Sequence, residues 1–359
     1  MNLQRWHLDP PLLYALLALA GISLIVVYSA SAEDLLVTFK HLVRLVMGFA
    51  ILFMLAQVRP EDLQRLAPIL FGVGVLLLIA VLGVGIVAKG ARRWLGVGAL
   101  SFQPSEIMKL ALPMMLAWYF SRIALPPNAR QLALAVILTV IPVALIAKQP
   151  DLGTAILVFG SGFAILFLAG MRWRILMLLA TVAAIAVPFA WHYLHDYQRR
   201  RILTLLDPTS DPLGAGYHII QSVIAVGSGG LAGKGWLKGT QAHLEFIPER
   251  STDFIFAVYS EEFGLIGNCV LLLLYLLLIG RGLAIAANAP TFFARLLAGA
   301  VTLTFFTYVF VNMGMVSGIL PVVGVPLPLV SFGGTALVTL FVGIGILMSI
   351  HRHRKLVQT

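Results

Sequence analysis

Residues 246–280 read FIPERSTDFIFAVYSEEFGLIGNCVLLLLYLLLIG: a polar cluster from Glu249 to Asp253, then an apolar run from Phe254 to Gly280. The run exceeds the ~20 residues needed to cross about 30 Å of hydrocarbon, so it reads as a membrane span with a charged entrance. The rest of the chain repeats that pattern. Of 359 residues, 60% are hydrophobic and 11% charged, against about 25% charged in soluble domains. Further apolar runs fall at 11–30, 41–58, 66–88, 106–121, 131–147, 153–170, 175–191, 294–316 and 335–350. In lipid each backbone N–H and C=O must be satisfied within its own segment, which makes these spans helices. The expected fold is therefore all-α: a polytopic integral membrane protein with about ten transmembrane helices. With no tandem repeat and no soluble module, residues 1–359 are expected to form a single membrane domain.

An even span count puts both termini on one side. Arg and Lys are more numerous in the short connections of that side, among them Arg59, Arg65, Arg122, Arg130, Arg281 and Arg295, which predicts cytoplasmic termini. The first apolar run is longer than the ~7–15 residues of a signal peptide, so it is read as a retained span. HRHRK at 351–355 is a cytoplasmic anchor. The formal net charge of +10 then serves topology and anionic membrane lipids rather than nucleic acid, for which no binding is expected. Cys269 is the sole cysteine, excluding an intramolecular disulfide or a cysteine-based metal cluster.

The connection at 192–253, between spans seven and eight, is expected to be a large structured extracytoplasmic loop. YQRRRILTLLDP and GYHIIQSVIAV within it carry apolar residues at helical spacing, as in helices lying on a membrane surface. On the same face lie KGARRWLGVGALSFQPSE (89–106), KQPDLG (148–153) and ILPVVGVPLPLVSFGGT (319–335). The last cannot be a regular helix, and irregular backbone at membrane depth is tolerated only against protein or a wet cavity.

Ionisable residues gather at this outer face, while the middles of the spans read as almost free of charge, which marks a water-accessible cavity. Glu106 and Lys109, three apart, share one helix face and read either as an orienting salt bridge or as a substrate-facing pair. Asp253 reads as a helix cap or first-turn acid; Ser251 and Thr252 offer alternative caps, which would leave Asp253 as a general base toward a hydroxyl. GSGGLAGKGW (227–236) lacks the Gly and the Ser or Thr of a P-loop, yet its amides and Lys234 suit an oxygen of a diphosphate. His192, His195 and Asp196 have helical metal-ligand spacing but end a span, where such residues commonly sit at the interface.

GARRW with FQPSEIMKL, the stretch from Asp211 to Gly267, and NMGMVSGILPVVGVPLPLVSFGGT (312–335) resemble the SEDS family of bacterial cell-wall proteins over nearly the whole chain. GTQAHLEFIPERSTDFIFAV and the ending LMSIHRHRK are more similar to its elongation branch than to its division branch. The resemblance implies a peptidoglycan glycosyltransferase that polymerises lipid II at the outer face of the bacterial cytoplasmic membrane. The family's required acid falls in TDFIFA, on Asp253; where family members often carry His before that motif, this chain has Ser251. Substrate contacts are expected from Arg92, Glu106, Lys109, Arg201, Lys234, Gln241, Glu249 and Thr252. Expected partners are a class B penicillin-binding protein, other rod-complex membrane proteins, lipid II and membrane lipids. No cofactor is required by this reading; a divalent cation such as Mg2+, held by Glu106, Asp151 or the substrate, fits the chemistry. A lipid II flippase and a non-catalytic scaffold are the competing readings.

Overall fold

A computed structural model describes residues 8–88, 91–97, 100–124, 126–171, 173–175, 177–178, 181–182, 184–185, 199, 203–210, 214–243, 246–247 and 249–354. Helices α1 (Pro10–Ala30), α2 (Leu35–Leu55) and α3 (Pro60–Val84) lead into a small antiparallel ribbon, β1 (Ile86–Ala88), β2 (Ala91–Val97) and β3 (Leu100–Phe102). Then follow α4 (Pro104–Phe120), α5 (Ala129–Lys148), α6 (Leu152–Leu168), α7 (Ala215–Ser228), the single turn α8 (Thr240–His243), α9 (Ile255–Ala287), α10 (Phe292–Val316) and α11 (Thr335–Arg352).

Seven of these helices are long and apolar enough to cross a membrane. Two more, α4 and α6, have 17 residues each and pack among them. The expected spans correspond to these nine, except 175–191, which lies largely outside the described residues. Polar caps start many of the helices. Asp9, Asp34, Asp151 and Thr291 each accept a first-turn amide, and Asn128 with Gln131 makes a capping box that starts α5.

Helix α10 is the axis of the bundle. The share of its membrane window buried by protein is 72%, against 22% for α2 and α5, whose remaining surface is left to lipid. Around α10 pack α4, α6, α9 and α11, and its Phe293, Tyr308 and Asn312 are fully enclosed. Asp9, at the start of α1, accepts from Arg281 near the end of α9 (2.7 Å) and lies 3.5 Å from His351 in the last turn of α11. Both ends of the described chain therefore lie at one end of the bundle.

Two features depart from the sequence reading. The run expected as one span from Phe254 is broken at Gly264 (φ 61°, ψ −159°). Tyr259 Oη donates to Gly267 O (2.8 Å), and Ser260 Oγ lies 3.0 Å from Asn268 Oδ1. A straight helix would separate residues eight apart by about 12 Å, so 255–263 bends back against the segment that follows. Second, the span interiors are not free of charge: Glu106, Lys109, Glu261 and Glu262 are buried within helices. Of the expected loop helices, GYHIIQSVIAV falls within α7, packed on α9.

Candidate functional site

The opposite end of the bundle, away from Asp9, holds Asp253 and the candidate site. Its organising element is the irregular segment 321–334, between α10 and α11. Val325, Leu327, Leu329 and Val330 are buried in it, and its polar backbone atoms find partners on neighbouring helices. Ser23 of α1 donates to Val330 O (2.9 Å), Tyr275 of α9 to Pro328 O (2.8 Å), and Asn312 of α10 to Val325 O (2.7 Å). Tyr275 lies near the middle of the stretch from Gly264 to Ala287, so the segment descends well into the bundle. Protein groups replace the water its backbone lacks, as irregular structure at that depth requires.

This segment holds the 251–254 turn. Phe332 N donates to Ser251 O (2.8 Å), Ser331 Oγ to Thr252 O (2.6 Å), and Asn312 Nδ2 to Asp253 O (2.8 Å). The turn is thus fixed by its carbonyls. The α9 N-cap is Phe254, without a side-chain cap bond, so neither Ser251, Thr252 nor Asp253 caps the helix. Thr252 Oγ1 instead lies near Glu249 O and Oε2 (3.2 and 3.0 Å). The Asp253 side chain is half-buried. It faces Gly324 (φ 72°), where a Cβ would stand 3.3 Å from Asp253 Oδ2. Glycine at 324 supplies both the left-handed backbone and open space over the carboxylate.

The segment also reaches the head of α6. A Cβ on Gly153 would lie 2.5 Å from Val323 O, so the two backbones touch. Beside it Asp151 caps α6 through Thr154 N (3.2 Å), accepts from Gln103 (2.7 Å) and lies 3.7 Å from Arg93. One turn into α4, Glu106 and Lys109 pair at 2.6 Å, at 8% and 4% exposure. Lys109 also donates to Tyr308 of α10 (2.5 Å), and Thr339 of α11 to Glu106 (3.0 Å). The orienting salt bridge expected from sequence is therefore present and ties three helices together.

Glu106 lines one end of a groove of about 570 Å³ among α2, α3, α4 and α11. Arg44, Gln103, Gly334 and Thr335 lie at that end; Leu63, Leu66, Leu70, Met114 and Ile346 wall the apolar remainder. Such a groove, polar at one end and apolar along its length, suits an amphiphile with one long chain.

Other expected contacts lie elsewhere. Arg92 donates to Leu82 O (3.2 Å) and Gly83 O (3.4 Å), closing the C-terminus of α3. Lys234 pairs with Glu261 (2.6 Å), and the same carboxylate accepts Thr240 Oγ1 and the Gln241 amide. The Gly-rich stretch is not an open phosphate cradle: Lys234 N and Gly235 N donate to the Glu261 and Glu262 carbonyls. It pins the α9 bend, where a Cβ on Gly264 would lie 2.3 Å from Gly233 N. Arg201, His192, His195 and Asp196 lie outside the described residues. Sequence reasoning missed Glu261, Glu262 and Arg44; two adjacent acids inside an apolar run are the signal that would have found the first two. Among the described residues no three His, Cys, Asp or Glu converge. The oxygens of Glu106 accept from Lys109 and Thr339, and those of Asp151 from Thr154 and Gln103.

The family model for cell cycle proteins of the FtsW/RodA/SpoVE type matches residues 10–356. The peptidoglycan glycosyltransferase MrdB of Escherichia coli K12 is 54% identical over 353 residues, 98% of this chain and 95% of that protein. Among solved structures, a chain from work on a peptidoglycan synthase complex that coordinates polymerization and crosslinking matches with TM-score 0.85 and 36% identity, covering 97% of this chain and 99% of that one. The rod shape determining protein RodA of Thermus thermophilus matches with TM-score 0.73 and 32% identity over 97% of each chain.

Proposed function

The chain belongs to the FtsW/RodA/SpoVE family of cell cycle proteins, and from that premise we infer that it is a multi-pass inner-membrane peptidoglycan glycosyltransferase of the elongation type. It polymerises lipid II, with Asp253 as general base. The observation that carries the assignment of Asp253 is its setting: a half-buried carboxylate on a turn fixed by Asn312, Ser331 and Phe332, opening toward Gly324.

The reaction joins the 4-hydroxyl of an acceptor N-acetylglucosamine to C1 of a donor N-acetylmuramic acid as the donor's polyprenyl diphosphate departs. Asp253 takes the hydroxyl proton as the new C–O bond forms, and the anomeric centre inverts in a single displacement. A base on a loosely held turn would not keep the near-attack geometry, which is why α10 and the 321–334 segment hold this one by three hydrogen bonds. The groove among α2, α3, α4 and α11 receives a polyprenyl chain, and the Glu106–Lys109 pair orients its polar end. A divalent cation, held by Glu106, Asp151 or the substrate, would add positive charge beside the departing diphosphate.

We place both termini in the cytoplasm, supported by their shared bundle end and by the Arg and Lys bias of that side. The proposed partner is a class B penicillin-binding protein that cross-links the new strand; the likeness to a chain from a synthase complex supports it. Other rod-complex membrane proteins complete the assembly.

The test is polymerisation of lipid II by the purified protein together with its penicillin-binding partner, free of other glycosyltransferases. Wild type should make glycan strands, and Asp253→Asn should lose at least ~100-fold in rate while eluting and melting like wild type. Asp253→Asn activity equal to wild type would remove the base assignment. Lipid II crossing vesicle leaflets without polymer would favour the flippase.

A further inference from the structure

Arg44 on α2 is the one cation among the residues that line the groove. Arg92, Arg93, Lys109 and Lys234 each have a backbone or carboxylate acceptor. Among the described residues Arg44 makes no ion pair; its guanidinium lies over the Phe332 ring, 4.3 Å from the centroid. A half-buried arginine at an apolar groove, seated on an aromatic ring, keeps guanidinium donors for a ligand, and a guanidinium fork matches phosphate oxygens two at a time. The groove end around it is otherwise balanced or positive. Glu106 is neutralised by Lys109, and Gly334 and Thr335 bring the N-terminus of α11, whose N-cap has no side-chain partner. Its first amides add a partial positive charge.

We propose that Arg44 is the anion-binding residue of the groove, holding the diphosphate of a polyprenyl-linked substrate while its chain lies along the apolar walls. The lining favours that occupant: one charged end continues into a single apolar wall of Leu63, Leu66, Leu70, Met114 and Ile346, which suits one polyprenyl chain. Position supports it too. Phe332, on which Arg44 rests, donates its amide to Ser251 O at 2.8 Å, two residues before Asp253. Arg44 and the turn that carries Asp253 therefore both rest on the 321–334 segment. This inference rests on the glycosyltransferase reading for its substrate, but its test does not need turnover.

The experiment titrates the purified full-length protein in detergent with undecaprenyl diphosphate and with undecaprenol, with phosphatidylglycerol as competitor. Arg44→Gln should weaken the diphosphate at least tenfold and leave undecaprenol unchanged. Arg44→Lys should fall between Arg44→Gln and wild type, because charge survives but the fork does not. Phe332→Leu, which removes the platform and keeps the cation, should weaken the diphosphate several-fold and serves if Arg44→Gln does not fold. The proposal is overturned if Arg44→Gln binds the diphosphate as wild type does, if it loses undecaprenol equally, or if phosphatidylglycerol competes as well as the diphosphate. Arg44-dependent diphosphate binding by a protein that makes no glycan would uphold this site and sink the reading it rests on.

Discussion

Asp253 shows how little a residue's type says about its setting. By sequence it was a first-turn acid with two competing caps beside it; in the structure no side chain caps α9, and the turn is fixed through carbonyls by Asn312, Ser331 and Phe332. Gly324→Ala should therefore cost activity more than stability. It forces a side chain into a left-handed backbone at about 1–2 kcal/mol and crowds Asp253 Oδ2, so polymerisation should fall at least tenfold while the protein still purifies intact. The Glu106–Lys109 pair carries the opposite expectation. Lys109→Met leaves a buried carboxylate unpaired, at about 3–5 kcal/mol, and should lower the melting temperature sharply. Combining it with Glu106→Gln should recover much of that loss, as read by thermal unfolding in detergent. Their pairing was legible from a spacing of three on one helix; their link to Tyr308 and Thr339 was not, because those partners come from helices about 200 residues away.

At the scale of elements, the bend in α9 and the irregular 321–334 segment are one construction. The bend folds 255–263 back along the helix that follows, and the segment fills the space beside Asp253 and Tyr275. Gly264 occupies a region of backbone space that is essentially glycine's alone, so Gly264→Ala adds about 1–3 kcal/mol of strain to a Cβ contact of 2.3 Å with Gly233 N. Its expected outcome is a protein recovered in low yield with a lowered melting temperature. Asn312→Leu should remove the donor that Asn312 gives the Asp253 and Val325 carbonyls, at about 1–3 kcal/mol for each buried bond. Activity should fall further than that loss of stability accounts for, measured as polymerisation rate per folded molecule. The Pro and Gly content of PVVGVPLPLV announced an irregular segment, but what it packs against was open, since its partners belong to α1, α6, α9 and α10.

Across the whole molecule, the two ends of the bundle do different work. The Asp9–Arg281–His351 cluster fastens the beginnings and ends of three helices far from Asp253. Asp9→Ala removes both this clamp and the α1 cap, itself worth about 1 kcal/mol. It should lower the melting temperature with little change in KM for lipid II, separating fastening from catalysis. Hydropathy set the approximate limits of the nine described spans on its own, because crossing a bilayer is a constraint each helix meets alone: about 20 apolar residues with every backbone group bonded internally. The resemblance carried by TDFIFA pointed to Asp253, whereas the carbonyl bonds that fix its turn come from Asn312, Ser331 and Phe332, far along the chain. Which cations are spent on protein and which one faces the groove depends on distances between helices that no spacing along the chain encodes. Arg92 and Lys234 looked equivalent to a free cation in the sequence, and only tertiary packing gave them Leu82 and Glu261 as partners, added Tyr308 to the Lys109 pair, and left Arg44 over Phe332 at the groove.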